Sequence, residues 1–254
     1  MRVLILGGTT EASALARLLA GDVRFDATLS LAGRTAAPKA QPIATRSGGF
    51  GGVEGLSRWL RDHATEAVID ATHPYADQMS AHAVAACATT GIPLASVLRP
   101  AWTPQPGDAW HFVADAEAAA AALGQVPRRV FLSLGRSDLD AFASAPQHRY
   151  VARSVDPPKQ LTLPPDIRFL QARGPFDLDA ETKLLTGERI EIVVSKNSGG
   201  SATYPKIDAA RALGLPVVMI ARPHKLAGHV LNSAEAAIAW LEELRTHDPS
   251  RRGV

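Results

Sequence analysis

A series of short apolar runs, spaced by loop signals and alanine-rich stretches, sets the strongest limit on what this chain can fold into. The runs are Arg2–Leu6, Ala67–Ile69, Leu94–Leu98, Val130–Leu134, Ile190–Val194 and Val217–Ile220. Strands this short and apolar on both faces belong in a parallel sheet covered on both sides, and the alanine-rich stretches supply the covering helices. The expected fold class is α/β, with parallel sheets flanked by helices.

The chain also reads as duplicated. Arg2-Val3-Leu4-Ile5-Leu6-Gly7-Gly8 matches Arg129-Val130-Phe131-Leu132-Ser133-Leu134-Gly135, and Ala71-Thr72-His73-Pro74-Tyr75 matches Ala202-Thr203-Tyr204-Pro205-Lys206. Gly91-Ile92-Pro93-Leu94 leads to Arg99-Pro100, as Gly214-Leu215-Pro216-Val217 leads to Arg222-Pro223. His111-Phe112-Val113 precedes Ala116-Glu117-Ala118-Ala119, as His229-Val230-Leu231 precedes Ala234-Glu235-Ala236-Ala237. The order is the same in both halves. Two similar lobes are expected, 1–124 and 125–254, with a boundary near Gly124 to Arg128 and a polar, frayed tail from His247.

Composition removes several classes. Apolar residues make up 46% of the 254 and charged residues 20%, which permits a packed core. No apolar run approaches the roughly 20 residues of a membrane span. The opening residues read as a strand, not a secretory signal, so the cytoplasm is the expected location. Cys87 is the single cysteine; it has no partner for a disulfide or a zinc site and is expected to be a buried bystander. A net charge of +2, with no basic stripe interleaved with aromatics, gives no nucleic-acid signature. Serine-hydrolase, zinc-protease and P-loop motifs are missing, and no metal-ligand spacing occurs.

The loop after the first strand, Gly7-Gly8-Thr9-Thr10-Glu11-Ala12, opens a helix whose apolar face is Ala14, Leu15, Leu18 and Leu19 and which Gly21 ends. Glycine lets a phosphate approach the backbone, and the helix N-terminus holds it. Thr9 or Thr10 can cap the helix and donate to the phosphate. The full G-x-G-x-x-G pattern is missing, so the loop alone is a weak signal. The second strand ends in Ser30-Leu31-Ala32-Gly33-Arg34, where an NAD-preferring fold carries an acid about 20 residues past the glycines. Arginine instead suits a 2′-phosphate, so NADPH is favoured over NADH, and S-adenosylmethionine is disfavoured.

Basic residues recur where strands end: Arg99, Arg136, Arg153, Arg173, Lys196 and Arg222. Gathered at one edge they attract a polyanion. Two loops carry chemistry. Asp70 to Tyr75 enters a helix with Pro74 at its first position, and Ser195 to Lys206 combines glycines with Lys196, Asn197, Tyr204 and Lys206. A lysine at a helix start is misplaced unless an anion is near, which singles out Lys206.

Taken together, Leu4 to Ala12, Gly48-Gly49-Phe50-Gly51-Gly52, Asp70 to Ala76, Arg99-Pro100 with Trp102, and Val194 to Gly200 continuing to Tyr204-Pro205-Lys206 resemble the precorrin-6A reductase family of cobalamin biosynthesis. The motifs span nearly the whole chain in order, and the last is the most distinctive. The resemblance implies two Rossmann-like lobes with the active site in the cleft between them. It also implies NADPH-dependent reduction of a C=C bond in a polycarboxylate tetrapyrrole, precorrin-6A to precorrin-6B. Gly8, Thr9 and Thr10 then hold the pyrophosphate, and Arg34 with Ser30 the 2′-phosphate. Gly49, Phe50, Gly51, Thr72 and His73 border the nicotinamide ribose. Arg99, Arg136, Lys196, Asn197, Ser198, Gly199, Tyr204, Lys206 and Arg222 are the expected substrate contacts, with Tyr204, Lys206, His73 or water as proton donor. The alternatives are a reductase of another polyanionic metabolite and a non-catalytic NADPH sensor. Oligomeric state, and whether the substrate contains cobalt, are left open.

Overall fold

A computed structural model describes residues 1–33, 39–155 and 162–247; Arg34 and the tail beyond His247 lie outside them. The first elements are β1 (Arg2–Leu6), α1 (Thr10–Leu19), β2 (Asp26–Leu31), β3 (Ala44–Ser47), α2 (Gly52–Asp62), β4 (Ala67–Asp70), α3 (Asp77–Thr90) and β5 (Leu94–Val97). Next come β6 (Trp110–Val113), α4 (Ala116–Ala122), β7 (Arg129–Ser133), two 3₁₀ turns, β8 (Arg149–Ser154), β9 (Ile167–Gln171) and α5 (Leu178–Gly187). The chain closes with β10 (Ile192–Lys196), α6 (Pro205–Ala212), β11 (Val217–Ile220), β12 (His229–Leu231) and α7 (Ala234–His247).

The strands form two six-stranded sheets, ordered β12-β5-β4-β1-β2-β3 and β6-β11-β10-β7-β8-β9. Every pairing is parallel. Each order is the doubly wound one, in which the winding direction reverses between the first and fourth strands. The expected α/β class with two Rossmann-like units is what the chain adopts.

In the first unit the pleat of β1 sends alternate side chains into two cores. Val3 and Ile5 pack with Leu15, Leu19, Ala237 and Leu241, while Leu4 and Leu6 pack with Leu56, Leu60, Val68 and Ala86. Thr9 caps α1 by accepting from the Ala12 N–H at 3.1 Å. The buried face of α1 is Ala12, Leu15, Ala16 and Leu19; Leu18, expected on that face, is 45% exposed. In the second unit Phe131, Val193, Ile207 and Met219 share one core. No helix among the described residues is long and apolar enough to cross a membrane.

The units are not consecutive in the chain. Residues 1–100 and 223–254 form one, and 101–222 the other. This corrects the division at 124: the repeat is present, but the sixth strand and its helix are exchanged, β6-α4 joining the second sheet and β12-α7 the first. The crossover segments show what commits them. The Asn197 amide accepts from the Trp102 N–H at 2.8 Å and donates to its carbonyl at 2.9 Å, which binds the outgoing segment to the second unit. At the equivalent place after Arg222-Pro223, Lys225 donates to Thr72 Oγ1 at 3.0 Å, and Gly228 N donates to Ser96 Oγ at 3.1 Å. Both bind the returning segment to the first unit.

His148 gives the second unit an acid sensitivity. It is 1% exposed; its Nδ1 accepts from the Arg128 N–H at 3.2 Å and Nε2 donates to the Gly124 carbonyl at 3.0 Å. Burial holds its pKa below the usual 6.5; the Gly124 bond opposes this and Arg128 adds to it. The unfolded chain therefore binds this proton more readily. The stability from the neutral form is complete above the unfolded value and falls as pH drops through the folded one. The urea midpoint should decline as pH falls below the ordinary histidine value of 6.5, less steeply in His148→Gln. Equal slopes in the two proteins rule the idea out.

Candidate functional site

Ligands in doubly wound sheets bind beyond the carboxyl ends of the strands, where the winding reverses. In the first unit that place lies after β1 and β4. Gly8, at φ +115°, has open space where a Cβ would project, so a phosphate can reach the backbone ahead of α1. Thr9 Oγ1 also donates to the Ala71 carbonyl at 2.7 Å, which joins the loops after β1 and β4. Thr10 Oγ1 donates to Glu11 Oε2 at 3.1 Å.

Glu11 would repel a phosphate here, but Arg99 lies 2.8 Å from it. Burial raises the Glu11 pKa; its own backbone N–H and Arg99 outweigh that and hold the carboxyl below its ordinary value. Arg99, expected as a substrate contact, is thus committed to α1.

After β4, Asp70 is 1% exposed and draws the next loop around itself. Its Oδ1 accepts from Thr72 N at 3.0 Å and Thr72 Oγ1 at 2.6 Å, and its Oδ2 from Ser80 Oγ at 2.5 Å. The Lys225 ammonium stands 3.4 Å from Oδ2. Thr72 is buried within this cluster, and His73 follows at its rim, its Nδ1 3.4 Å from the Tyr75 N–H. Helix α3 starts at Asp77, so Pro74 sits in a turn and not at a helical first position. Nearby Cys87 is buried and unreactive: burial, then Asp70, pushes its thiol up to about 12.

Beside β1, Ser30 on β2 faces Arg46 on β3. Arg46 Nη1 donates to Ser30 Oγ at 2.6 Å, Nη2 to the Gly49 carbonyl at 3.1 Å, and the guanidinium lies 3.9 Å from the Phe50 ring centre. The structure thus gathers Ser30, Gly49 and Phe50 around an arginine that sequence reasoning missed. Gly51, also left-handed, is the N-cap of α2.

The second unit differs at the matching position. After β7 come 3₁₀ turns at Arg136–Asp138 and Asp140–Ser144 in place of a long helix, so the matching phosphate site is not built. Lys196, ending β10, reaches Asp138 Oδ1 at 2.8 Å. Arg136 is half-buried in the first turn. Asn197 spends both amide groups on Trp102, and its carbonyl accepts from Arg222 Nε at 2.8 Å. Ser198 Oγ lies 3.3 Å from Thr203 Oγ1, and Gly199 is left-handed at φ +73°.

Lys206 is 2% exposed; its ammonium donates to the Thr203 carbonyl at 2.9 Å and lies 4.9 Å from the Trp102 ring centre. A carbonyl and an aromatic face thus offset the unfavourable helix N-terminus. Tyr204 accepts from Arg211 Nη2 at 2.9 Å. Arg153, counted among the basic strand ends, is instead buried and paired through both nitrogens with Glu181. Among the described residues, no group of three or more His, Cys, Asp or Glu is placed to hold a metal ion.

Comparison with known proteins agrees with this architecture. Residues 2–242 match the family described as "Precorrin-6x reductase CbiJ/CobK". A precorrin-6A reductase of Rhodobacter capsulatus is 52% identical over 253 residues, covering 100% of this chain and 99% of its own. One from Mycobacterium tuberculosis is 45% identical, covering 98% and 99%. A cobalt-precorrin-6A reductase of Salmonella typhimurium is 30% identical, covering 93% and 94%. A solved structure titled "CobK precorrin-6A reductase" superposes with a TM-score of 0.91 at 52% identity, covering 100% of both chains. With a match running nearly end to end, the chain belongs to the precorrin-6x reductase family.

Proposed function

We propose that this chain is a precorrin-6A reductase of cobalamin biosynthesis, an oxidoreductase that reduces one C=C bond of the macrocycle with NADPH. The carrying observation is the asymmetry of the two units. Only the first pairs an open glycine, Gly8, with the N-terminus of an α-helix directly after its first strand, so it holds the dinucleotide.

Gly8, Thr9 and Thr10 take the pyrophosphate; Thr72 and His73, after β4, border the nicotinamide ribose, and Gly49, Phe50 and Gly51, after β3, line the cofactor on the opposite side of β1. Ser30 and Arg34 meet the 2′-phosphate. When bound, the cofactor supplies the hydride. In the second unit Arg136, Lys196, Ser198, Gly199, Tyr204 and Lys206 face the acidic macrocycle. Asn197 and Arg222 shape that loop from within, and Arg99 neutralises Glu11. The proton that completes the reduction comes from His73, Tyr204, Lys206 or water. The protein's main contribution is orientation, worth up to about 7–11 kcal/mol when reacting atoms are well aligned.

The metal-free macrocycle is the proposed substrate, because relatives at 52% and 45% identity carry that name and the relative at 30% carries the cobalt one. The test is NADPH oxidation followed by absorbance with enzymatically prepared precorrin-6A, alongside Lys206→Ala. The wild type should yield a macrocycle two electrons more reduced by mass spectrometry, and the variant should lose most of that rate. NADPH binding without oxidation would overturn the substrate assignment.

A further inference from the structure

The carboxyl ends of β1, β2 and β3 lie side by side, with Leu6 paired to Ser30 and Ser30 to Arg46. Strands in a sheet are about 4.8 Å apart, so Arg46 stands roughly 10 Å along the sheet from the Gly8 loop. That is the side on which the adenosine end of a dinucleotide extends from a pyrophosphate held at the helix N-terminus.

The charge on Arg46 is unusual in its surroundings. Arg24, Arg99, Arg153 and Arg211 each contact a carboxylate. Arg46 is half-buried, yet its hydrogen-bond partners are neutral oxygens, Ser30 Oγ and the Gly49 carbonyl. No carboxylate among the described residues pairs with it. Burial alone pushes its pKa below the usual arginine value, the signature of a desolvated cation without an offsetting anion.

The geometry leaves that cation a defined task. A guanidinium has five N–H groups in a rigid plane, and among the described residues two of them are taken, by Ser30 and Gly49. Phe50 supports one face of the plane, and the bonds to Ser30 and Gly49 fix its tilt. The rim is also narrow. Gly48 N donates to the Leu31 carbonyl at 2.9 Å, and a Cβ on Gly33, at φ +71°, would come 3.3 Å from Gly48 N. From Ser30 to Gly33 the end of β2 carries no acidic side chain. An incoming dianion would find a preoriented fork that folding has already partly desolvated.

We propose that Arg46 is a specificity-determining residue that, beside Ser30 and Arg34, makes the first unit select a 2′-phosphorylated dinucleotide, by gripping the 2′-phosphate with the N–H groups it does not spend on Ser30 and Gly49. The inference rests on the nicotinamide-cofactor reading above and adds a residue that chooses between NADPH and NADH.

The test uses the full chain and calorimetric titration with NADPH, NADH, adenosine 2′,5′-bisphosphate and AMP, for wild type, Arg46→Gln and Arg46→Lys. Wild type should prefer each 2′-phosphorylated ligand. Arg46→Gln should weaken NADPH and the bisphosphate by about 10–100-fold, the loss expected for one or two charge-assisted hydrogen bonds, and leave NADH and AMP unchanged. Unchanged NADH binding also certifies that the variant is folded. Arg46→Lys should recover part of the loss, because it restores charge without the planar fork. A parallel fall for NADPH and NADH would overturn the proposal and reduce Arg46 to a brace for the Ser30–Gly49 rim. Retained NADPH preference in Arg46→Gln would overturn it and place the phosphate elsewhere. A wild type that binds neither dinucleotide would instead bring down the nicotinamide reading, and this inference with it.

Discussion

Lys225→Met is expected to destabilise the first unit by about 3–5 kcal/mol, the usual consequence of leaving a buried charge without its partner. The Lys225 and Asp70 side chains are 6% and 1% exposed, so water cannot replace the lost ammonium. Asp70 keeps its bonds from Thr72 and Ser80, but hydroxyl and amide dipoles do not offset a full buried charge. Thr72 loses a donor to its hydroxyl at the same time, which loosens the loop that carries His73. Combining Lys225→Met with Asp70→Asn should recover much of the loss, since no charge is then stranded. Urea denaturation gives the size of the effect, and hydrogen exchange shows whether it is confined to β4, β5 and β12. A single variant within about 1 kcal/mol of wild type would mean that the pair is solvated in solution and does not anchor the returning segment.

The sheet strands were legible because a parallel strand buried on both faces must be apolar throughout, as β1, β4 and β11 are. Strand β3, Ala-Thr-Arg-Ser, was not, because an exposed edge strand needs no such pattern. Arg46 went unnoticed for that reason, although it stands two residues before the Gly48-Gly49 signal. The repeat was legible too, but sequence similarity does not say which sheet a strand joins. β6 and β12 are edge strands with mostly partial or full exposure, and their partners are chosen by Asn197, Lys225 and Ser96 far along the chain.

The charge partners of the basic strand ends were not legible, for a related physical reason. In sequence Arg99, Arg153 and Lys196 look like one positive edge. In the folded units each meets a carboxylate, Glu11, Glu181 or Asp138, that lies 88, 28 or 58 residues away. Local charge counts cannot see such long-range neutralisation. Asn197 and Lys206 show what residue type alone does not: Asn197 bonds both ways to Trp102, and the Lys206 ammonium is held by the Thr203 carbonyl beside the Trp102 ring.

Arg153→Met should cost the second unit about 3–5 kcal/mol, because Glu181, with its side chain 2% exposed, keeps its charge and loses its only ion-pair partner among the described residues. Arg153 lies 3.6 Å from the Phe176 ring centre and 5.1 Å from that of Phe131, so methionine can fill much of the space its stem occupies. The penalty is then chiefly electrostatic, and Arg153→Met with Glu181→Leu should return close to wild-type stability, as apolar replacement of a buried pair commonly does. Hydrogen exchange should confine the single variant's losses to β7, β8 and α5. The double variant then answers a functional question that stability alone leaves open. If Arg153 serves only to pair Glu181, the refilled protein should turn over with unchanged KM for the macrocycle. A raised KM in a fully folded double variant would add Arg153 to the substrate contacts, with Glu181 acting to orient the guanidinium instead of merely neutralising it.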